Sequence, residues 1–120
     1  KSFRLDKLFE ESDIRLIPPL GYLGFLNLEL NSKLVITDSG GIQVETTALG
    51  IPCLTVLNSP AWLITHKQGT NTLVGKDTER LVTETFKILD GKGKKGSIPE
   101  LWDGKTAERI VRVITTRAQR

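Results

Sequence analysis

Four residues near the middle of this 120-residue chain have the types and spacing to hold an anion and a hydroxyl-bearing ligand: Ser39, Gly40, Gly41 and Glu45. They lie in the stretch LVITDSGGIQVETTALGIP, residues 34–52. The apolar run Leu34-Val35-Ile36 breaks at Thr37-Asp38-Ser39-Gly40-Gly41, and a short helix follows from Ile42 to Leu49, stopping at Gly50 before Pro52. The first turn of a helix carries unpaired N–H groups and the positive end of the macrodipole, so a strand, a small-residue turn and a helix start form an anion-binding arrangement. Ser39 is a good N-cap, and the two glycines let an anion come close to the backbone. No Glu or Gln stands three residues after Ser39, so no capping box closes the cap. Glu45 falls one turn beyond Gly41 on the same face, where its carboxylate can reach a ligand hydroxyl. The same joint also occurs in α/β domains with nothing bound, and two glycines after a strand are weaker than a full dinucleotide fingerprint.

The elements that must position these residues alternate in type. Residues 3–11 carry Phe3, Leu5, Leu8 and Phe9 at helical spacing. Ile14–Ile17 reads as a short strand stopped by Pro18-Pro19. Tyr22–Leu30 is an apolar helix expected to pack on a sheet. Leu34–Thr37, Leu54–Leu57 and Thr72–Val74 read as three further strands, with a short helix between Ala61 and Gln68. Asp77 or Thr78 can cap a helix over Glu79–Leu89, whose expected core side is Leu81, Val82, Phe86 and Leu89. Residues 90–100, DGKGKKGSIPE, form an exposed loop ending on an apolar anchor, Leu101-Trp102. Thr106 is expected to cap a last helix carrying Ala107, Ile110, Val111 and Ile114 on one face. Alternating strands and helices predict an α/β fold with a parallel sheet of about four strands and flanking helices. Ligands of such sheets bind beyond the carboxyl ends of the strands.

Composition narrows the function classes. Residues are 38% hydrophobic and 26% charged, ordinary for a folded soluble domain. No apolar run approaches a membrane span, and no signal-peptide pattern is present. Seventeen basic and 14 acidic residues give a net charge of +3. The basic residues cluster in the Lys92–Lys95 loop and along the last helix, without interleaved aromatics, so nucleic-acid binding has little support. The single cysteine, Cys53, sits in an apolar run and reads as a small buried hydrophobe. It cannot form an internal disulfide, which fits a reducing, cytoplasmic setting. His66 reads as a surface or partly buried histidine near a turn. No metal-ligand set and no cofactor motif is expected.

The run VITDSGGIQVETTALGIPCLTV, followed by GTNTLVG and LWDGKTAERIV and preceded by IPPLGYLGFLNLE, resembles the non-hydrolysing UDP-N-acetylglucosamine 2-epimerases over about Ile14 to Val113. The resemblance implies a share of a two-Rossmann-domain, GT-B-type architecture in which UDP-GlcNAc binds between two domains. This chain would be the carboxy-terminal, UDP-binding part. Ser39 and Gly40 match positions on the diphosphate, with Gly41 completing the turn. Glu45 matches the carboxylate on the ribose hydroxyls, Phe25 an aromatic near the uracil, and Leu20 a backbone position at the base edge. Members of the family are commonly dimers, so a homo-oligomer is expected.

Three departures stand out. Val44 replaces the first of two successive acids. Trp62 stands where the family has the Arg of a Thr-Glu-Arg-Pro element, which removes a charge-assisted phosphate contact worth about 1.5–3 kcal/mol; Lys67 is the next positive residue. The catalytic carboxylates and histidine of the family lie upstream of the matching region, so no catalytic residue is assigned here. Epimerisation by elimination to a glycal plus UDP, then re-addition, needs such groups, and the isolated chain is expected to be incompetent. Residues 1–120 would be a partial Rossmann-like domain lacking its first two strands, the four strands here matching the last four of the order 3-2-1-4-5-6. Three arrangements are open: a piece of a longer enzyme, a different pairing of the strands, or completion by another chain. The alternative function is a non-catalytic nucleotide-sugar-binding module or a dimerising remnant.

Overall fold

The computed structural model describes Phe9 and residues 12–118. Its elements are α1 (Tyr22–Leu30), β1 (Val35–Thr37), α2 (Gly40–Leu49), β2 (Cys53–Thr55), α3 (Leu63–Lys67), β3 (Asn71–Leu73), α4 (Thr78–Leu89) and α5 (Thr106–Ala118). The helix expected at 3–11 lies outside the described residues apart from Phe9, which is helical.

The sheet has three parallel strands in the order β1-β2-β3. Val35, Cys53 and Asn71 stand level across it, as do Thr37, Thr55 and Leu73. All three strands therefore end at one edge, and the segments after them, Asp38–Gly41, Val56–Trp62 and Val74–Asp77, meet there.

Ile14–Ile17 is not a strand. Ile14, Leu16 and Ile17 are all exposed, and the segment has no ladder partner among the described residues. An extended segment gains little without a neighbour to take its N–H and C=O groups. β1 is accordingly an edge strand in the described sheet, paired only to β2.

The apolar core is small: Ile51, Cys53, Leu54 and Val74. Much of the interior is polar and cross-linked. The Asn71 side-chain amide donates to the Gln43 carbonyl at 3.0 Å and to Thr47 Oγ1 at 2.9 Å. Its oxygen accepts from Thr55 Oγ1 at 3.2 Å. One side chain of β3 thus clips α2 and β2 together. Thr46 bonds back within α2, its hydroxyl donating to the Ile42 carbonyl at 2.7 Å. Gly69 permits close approach of α3 to α2: a Cβ there would lie 2.5 Å from Thr47 Cγ2 and 2.8 Å from the Thr65 carbonyl.

α2 ends as its sequence requires. Gly50 takes a left-handed conformation at φ 73°, with Gly50 N bonded to the Thr47 carbonyl and Ile51 N to the Thr46 carbonyl, a Schellman closure. Asp77 is the N-cap of α4, its carboxylate accepting from Arg80 N at 2.9 Å. Thr106 is the first residue of α5, not its cap. The Lys105 carbonyl accepts the opening bond from Arg109 N, and the Asp103 carboxylate accepts from Lys105 N.

The carboxy-terminal arm differs from the sequence expectation in exposure. No residue of α4 is buried; Val82, Phe86 and Leu89 are exposed, as are Ile110, Val111 and Ile114 of α5. Leu101 is exposed too, in a left-handed conformation, while Trp102 is half-buried. The lysine-rich loop is pinned. Lys94 Nζ donates to the Asn71 carbonyl at 3.0 Å and to the His66 carbonyl, and Ser97 N donates to the Gln68 carbonyl at 2.9 Å. Burial pushes the Lys94 ammonium below its ordinary range.

Candidate ligand site at the start of α2

Ser39 occupies the N-cap position of α2 in an extended conformation. Its carbonyl accepts the opening helical bond from Gln43 N at 3.3 Å. Its hydroxyl makes no bond to the helix, although Ser39 Oγ would stand 3.8 Å from a Cβ on Gly41, and Ser39 N is held by Thr37 Oγ1 at 3.0 Å. Among the described residues nothing accepts from the N–H groups of Gly40, Gly41 and Ile42. An exposed hydroxyl and an unfilled first turn on a ten-residue helix form an anion-ready face.

The loop after β2 lies over this face. A Cβ on Gly40 would stand 3.0 Å from Ala61 Cβ and 3.5 Å from the Trp62 indole nitrogen. Gly40 therefore has to be glycine-sized for the loop to sit where it does. Trp62 brings a neutral N–H donor to the helix start in place of a cation. It is held by its own carbonyl, which accepts from Thr65 N at 3.1 Å and Thr65 Oγ1 at 2.7 Å. Asn58 of the same loop would be 3.6 Å from a Cβ on Gly75, so the loops after β2 and β3 also touch.

Glu45 is half-buried, one turn along α2. Burial first, then the charge of Glu45, raises the pKa of Glu29 on α1. Phe25, one turn before Glu29, lines a cavity of about 250 Å³ with Glu29, Leu34, Val35 and Ile36. Leu20 lies in the exposed segment before α1, packed toward Gly24, whose Cβ position is 3.8 Å from Leu20 Cβ. Lys67, at the last turn of the five-residue α3, is exposed.

Sequence reasoning missed Glu29, the only buried residue of α1. Tyr22–Leu30 is apolar on nearly every side, so its pattern does not mark the face that turns inward. It also missed the Asn71 clip, whose signal was an Asn inside a strand, a position that residue rarely occupies. His66 is half-buried, with Nε2 lacking a partner, and burial followed by the nearby Lys94 charge lowers its pKa. Burial pushes the Cys53 thiol up, consistent with an inert interior residue. No group of three or more potential metal ligands and no helix long and apolar enough to cross a membrane occurs among the described residues.

Comparison with known proteins fits this geometry. The family model for UDP-N-acetylglucosamine 2-epimerase matches residues 2–115. The UDP-N-acetylglucosamine 2-epimerase of Methanocaldococcus jannaschii is 41% identical over 116 residues, covering 96% of this chain and 31% of that protein. The UDP-2,3-diacetamido-2,3-dideoxy-D-glucuronate 2-epimerase of Pseudomonas aeruginosa is 36% identical, covering 88% of this chain and 30% of that protein. The crystal structure of the M. jannaschii enzyme in complex with UDP-GlcNAc and UDP superposes with a TM-score of 0.77 at 39% identity, over 93% of this chain and 30% of that one. The sheet and its flanking helices are part of the Rossmann-like, GT-B-type architecture of these epimerases. The chain spans about three-tenths of the length of the curated relatives it matches. With its matched residues and its fold in agreement, the chain belongs to the UDP-N-acetylglucosamine 2-epimerase family.

Proposed function

We propose that this chain is the UDP-binding, carboxy-terminal part of an isomerase that interconverts UDP-GlcNAc and UDP-ManNAc. The observation that carries the reading is the start of α2, where the Ser39 hydroxyl and the first-turn N–H groups are unengaged and Glu45 follows one turn on. The diphosphate sits at Ser39, Gly40 and Gly41, where the backbone donors and the positive helix end favour negative charge. Glu45 accepts from the ribose hydroxyls, Phe25 faces the uracil, and the backbone at Leu20 meets the base edge. The relative crystallised with UDP-GlcNAc and UDP supports the ligand class.

Residues 1–120 act as a partial Rossmann-like domain. With Ile14–Ile17 unpaired, three of its strands are accounted for, and the free edge of β1 is where further sheet joins, from upstream chain or from a second copy. Acid–base groups for the sugar come from outside this chain, which alone does not epimerise. The reading places the protein in the cytoplasm, where UDP-sugars are handled.

Calorimetric titration of the full gene product with UDP tests the reading. Binding at millimolar Kd or tighter, reduced about tenfold or more in Glu45→Ala, is the expected result, on the scale of a hydrogen-bonded charge. No UDP binding by the wild-type protein overturns it. An assay for UDP-ManNAc formation then separates an epimerase from a module that binds nucleotide sugar without turnover. Trp62, a neutral residue at the helix start, is the observation that keeps the second reading in view.

A further inference from the structure

The start of α2 is met by an indole where a cation would neutralise an anion. Trp62 Nε1 stands 3.5 Å, and Cδ1 3.9 Å, from the Cβ position of Gly40. The side chain is also 54% exposed, so its N–H lies beside the first turn and open to a ligand. Among the described residues the hydrogen bonds of Trp62 run through its carbonyl, held by Thr65 N and by the hydroxyl of the fully buried Thr65. Gly69 in turn seats α3 against Thr47 of α2. The indole is therefore presented from a fixed backbone. The charged groups around it are mostly acids. Asp38 precedes Ser39, Glu45 follows one turn on, and the loop after β3 carries Lys76 next to Asp77. His66 and Lys67 occupy the last turn of α3. Lys94 holds the His66 carbonyl beside that of Asn71, so this turn lies where β3 begins, away from the edge where the strands end.

We infer that the Trp62 indole N–H is a further donor to the anion at the start of α2, and that this cradle of neutral donors selects its ligand by charge. It holds a diphosphate diester, as in a nucleotide sugar, in preference to the free nucleoside diphosphate, whose terminal phosphate carries an additional negative charge. The inference rests on the assignment of the diphosphate to Ser39, Gly40 and Gly41. Backbone and indole N–H groups solvate phosphate oxygens, and the helix end adds a partial positive charge. An arginine or lysine would supply a full counter-charge for a terminal phosphate; an indole does not. Water solvates the additional charge better than a fixed set of neutral donors beside Asp38 and Glu45, so that charge favours release. Trp62 thus sets which form of the nucleotide stays bound.

The test titrates the full gene product with UDP and with UDP-GlcNAc as wild type, Trp62→Phe and Trp62→Arg, at about pH 5.5 and about pH 8. The terminal phosphate of UDP gains its second charge with a pKa of about 6. Both phosphates of UDP-GlcNAc are diesters and do not titrate in this range. Titration of protein groups such as His66 acts on both ligands and cancels in the ratio of their affinities. In wild type the preference for UDP-GlcNAc over UDP should grow about fivefold from the lower pH to the higher. Trp62→Arg should abolish that growth by strengthening UDP about tenfold at the higher pH. Trp62→Phe should weaken both ligands about fivefold and keep the growth. A wild-type preference that does not grow, an arginine variant with the wild-type ratios, or a phenylalanine variant that binds like wild type overturns the inference. A second measurement uses wild-type binding alone. In an NMR spectrum of the labelled indole nitrogens, the N–H resonance that Trp62→Phe removes should shift when UDP-GlcNAc is added, and an unmoved resonance overturns the inference. If neither nucleotide binds, the nucleotide reading fails and the inference falls with it. If both bind without the charge preference, the inference fails alone.

Discussion

The segment from β1 to β3 and the arm from α4 to α5 are built on opposite principles. In the first, a weakly patterned helix, α2, is locked in place by side-chain hydrogen bonds from Asn71 and by a glycine-sized approach at Gly69. In the second, two helices with strong apolar stripes leave those stripes open; Phe86 and Ile114 are each 61% exposed. An amphipathic pattern states that a face is fit to be covered, and it does not supply the cover. The candidate site belongs to the polar, locked segment. A neutral amide, three threonine hydroxyls and a few glycines decide where its donors point.

The sharpest way to break this contrast is to remove the clip. Asn71→Leu leaves the Gln43 carbonyl and the Thr47 and Thr55 hydroxyls without their partner, and should cost about 3 kcal/mol of stability in urea denaturation of the full gene product. A loss below roughly 1 kcal/mol would show that the apolar core, not the clip, holds α2.

Next in size is Gly40→Ala, which pushes a methyl group against Ala61 and the Trp62 indole. The loop has to move off the helix start, and UDP affinity should drop about tenfold by calorimetry. Unchanged affinity would mean that the loop yields and takes no part in the site.

Ile114→Ser probes the other region. Its side chain is exposed on α5, so melting should change by no more than about 0.5 kcal/mol in free energy. A loss of 2 kcal/mol or so, the value of a buried apolar side chain, would show the stripe covered in the full gene product.

The smallest expected effect is at Asp103. Arg109, donating to this carboxylate, lowers its pKa to about 2, with Lys105 N adding a second bond. A depressed acid contributes stability above its unfolded value of roughly 3.9, and the contribution is lost as pH falls through about 2. Asp103→Asn should flatten the slope of melting temperature between those values slightly, because the pair is solvent-accessible and screened.

Much of this arrangement was legible in the residues. The strand–turn–helix at 34–49, the helical stretch after Asp77 and the stop at Gly50 follow from local chemistry that tertiary packing did not override. The strands at 54–57 and 72–74 begin one residue earlier than their apolar runs suggest, at Cys53 and Asn71, because pairing with β1 and β2 sets their start. Ile14–Ile17 has strand-like residues and no neighbour, and pairing is not a local property. Glu29 is the clearest limit. Nothing in its own helix distinguishes it from an exposed acid, and only the folded chain leaves it 3% exposed. Lys94 likewise reads as one of several loop lysines until its ammonium is found on two backbone carbonyls.

The Asn71 clip also sets what can move. Because one amide ties α2 to both β2 and β3, the helix start cannot tilt to follow an incoming ligand without tearing the sheet behind it. Capture then has to come from the facing side, by loops or by whatever covers the open end of the strands. Hydrogen exchange should register a ligand at Ser39 as slower opening as far away as Asn71–Leu73, a strand that never touches it.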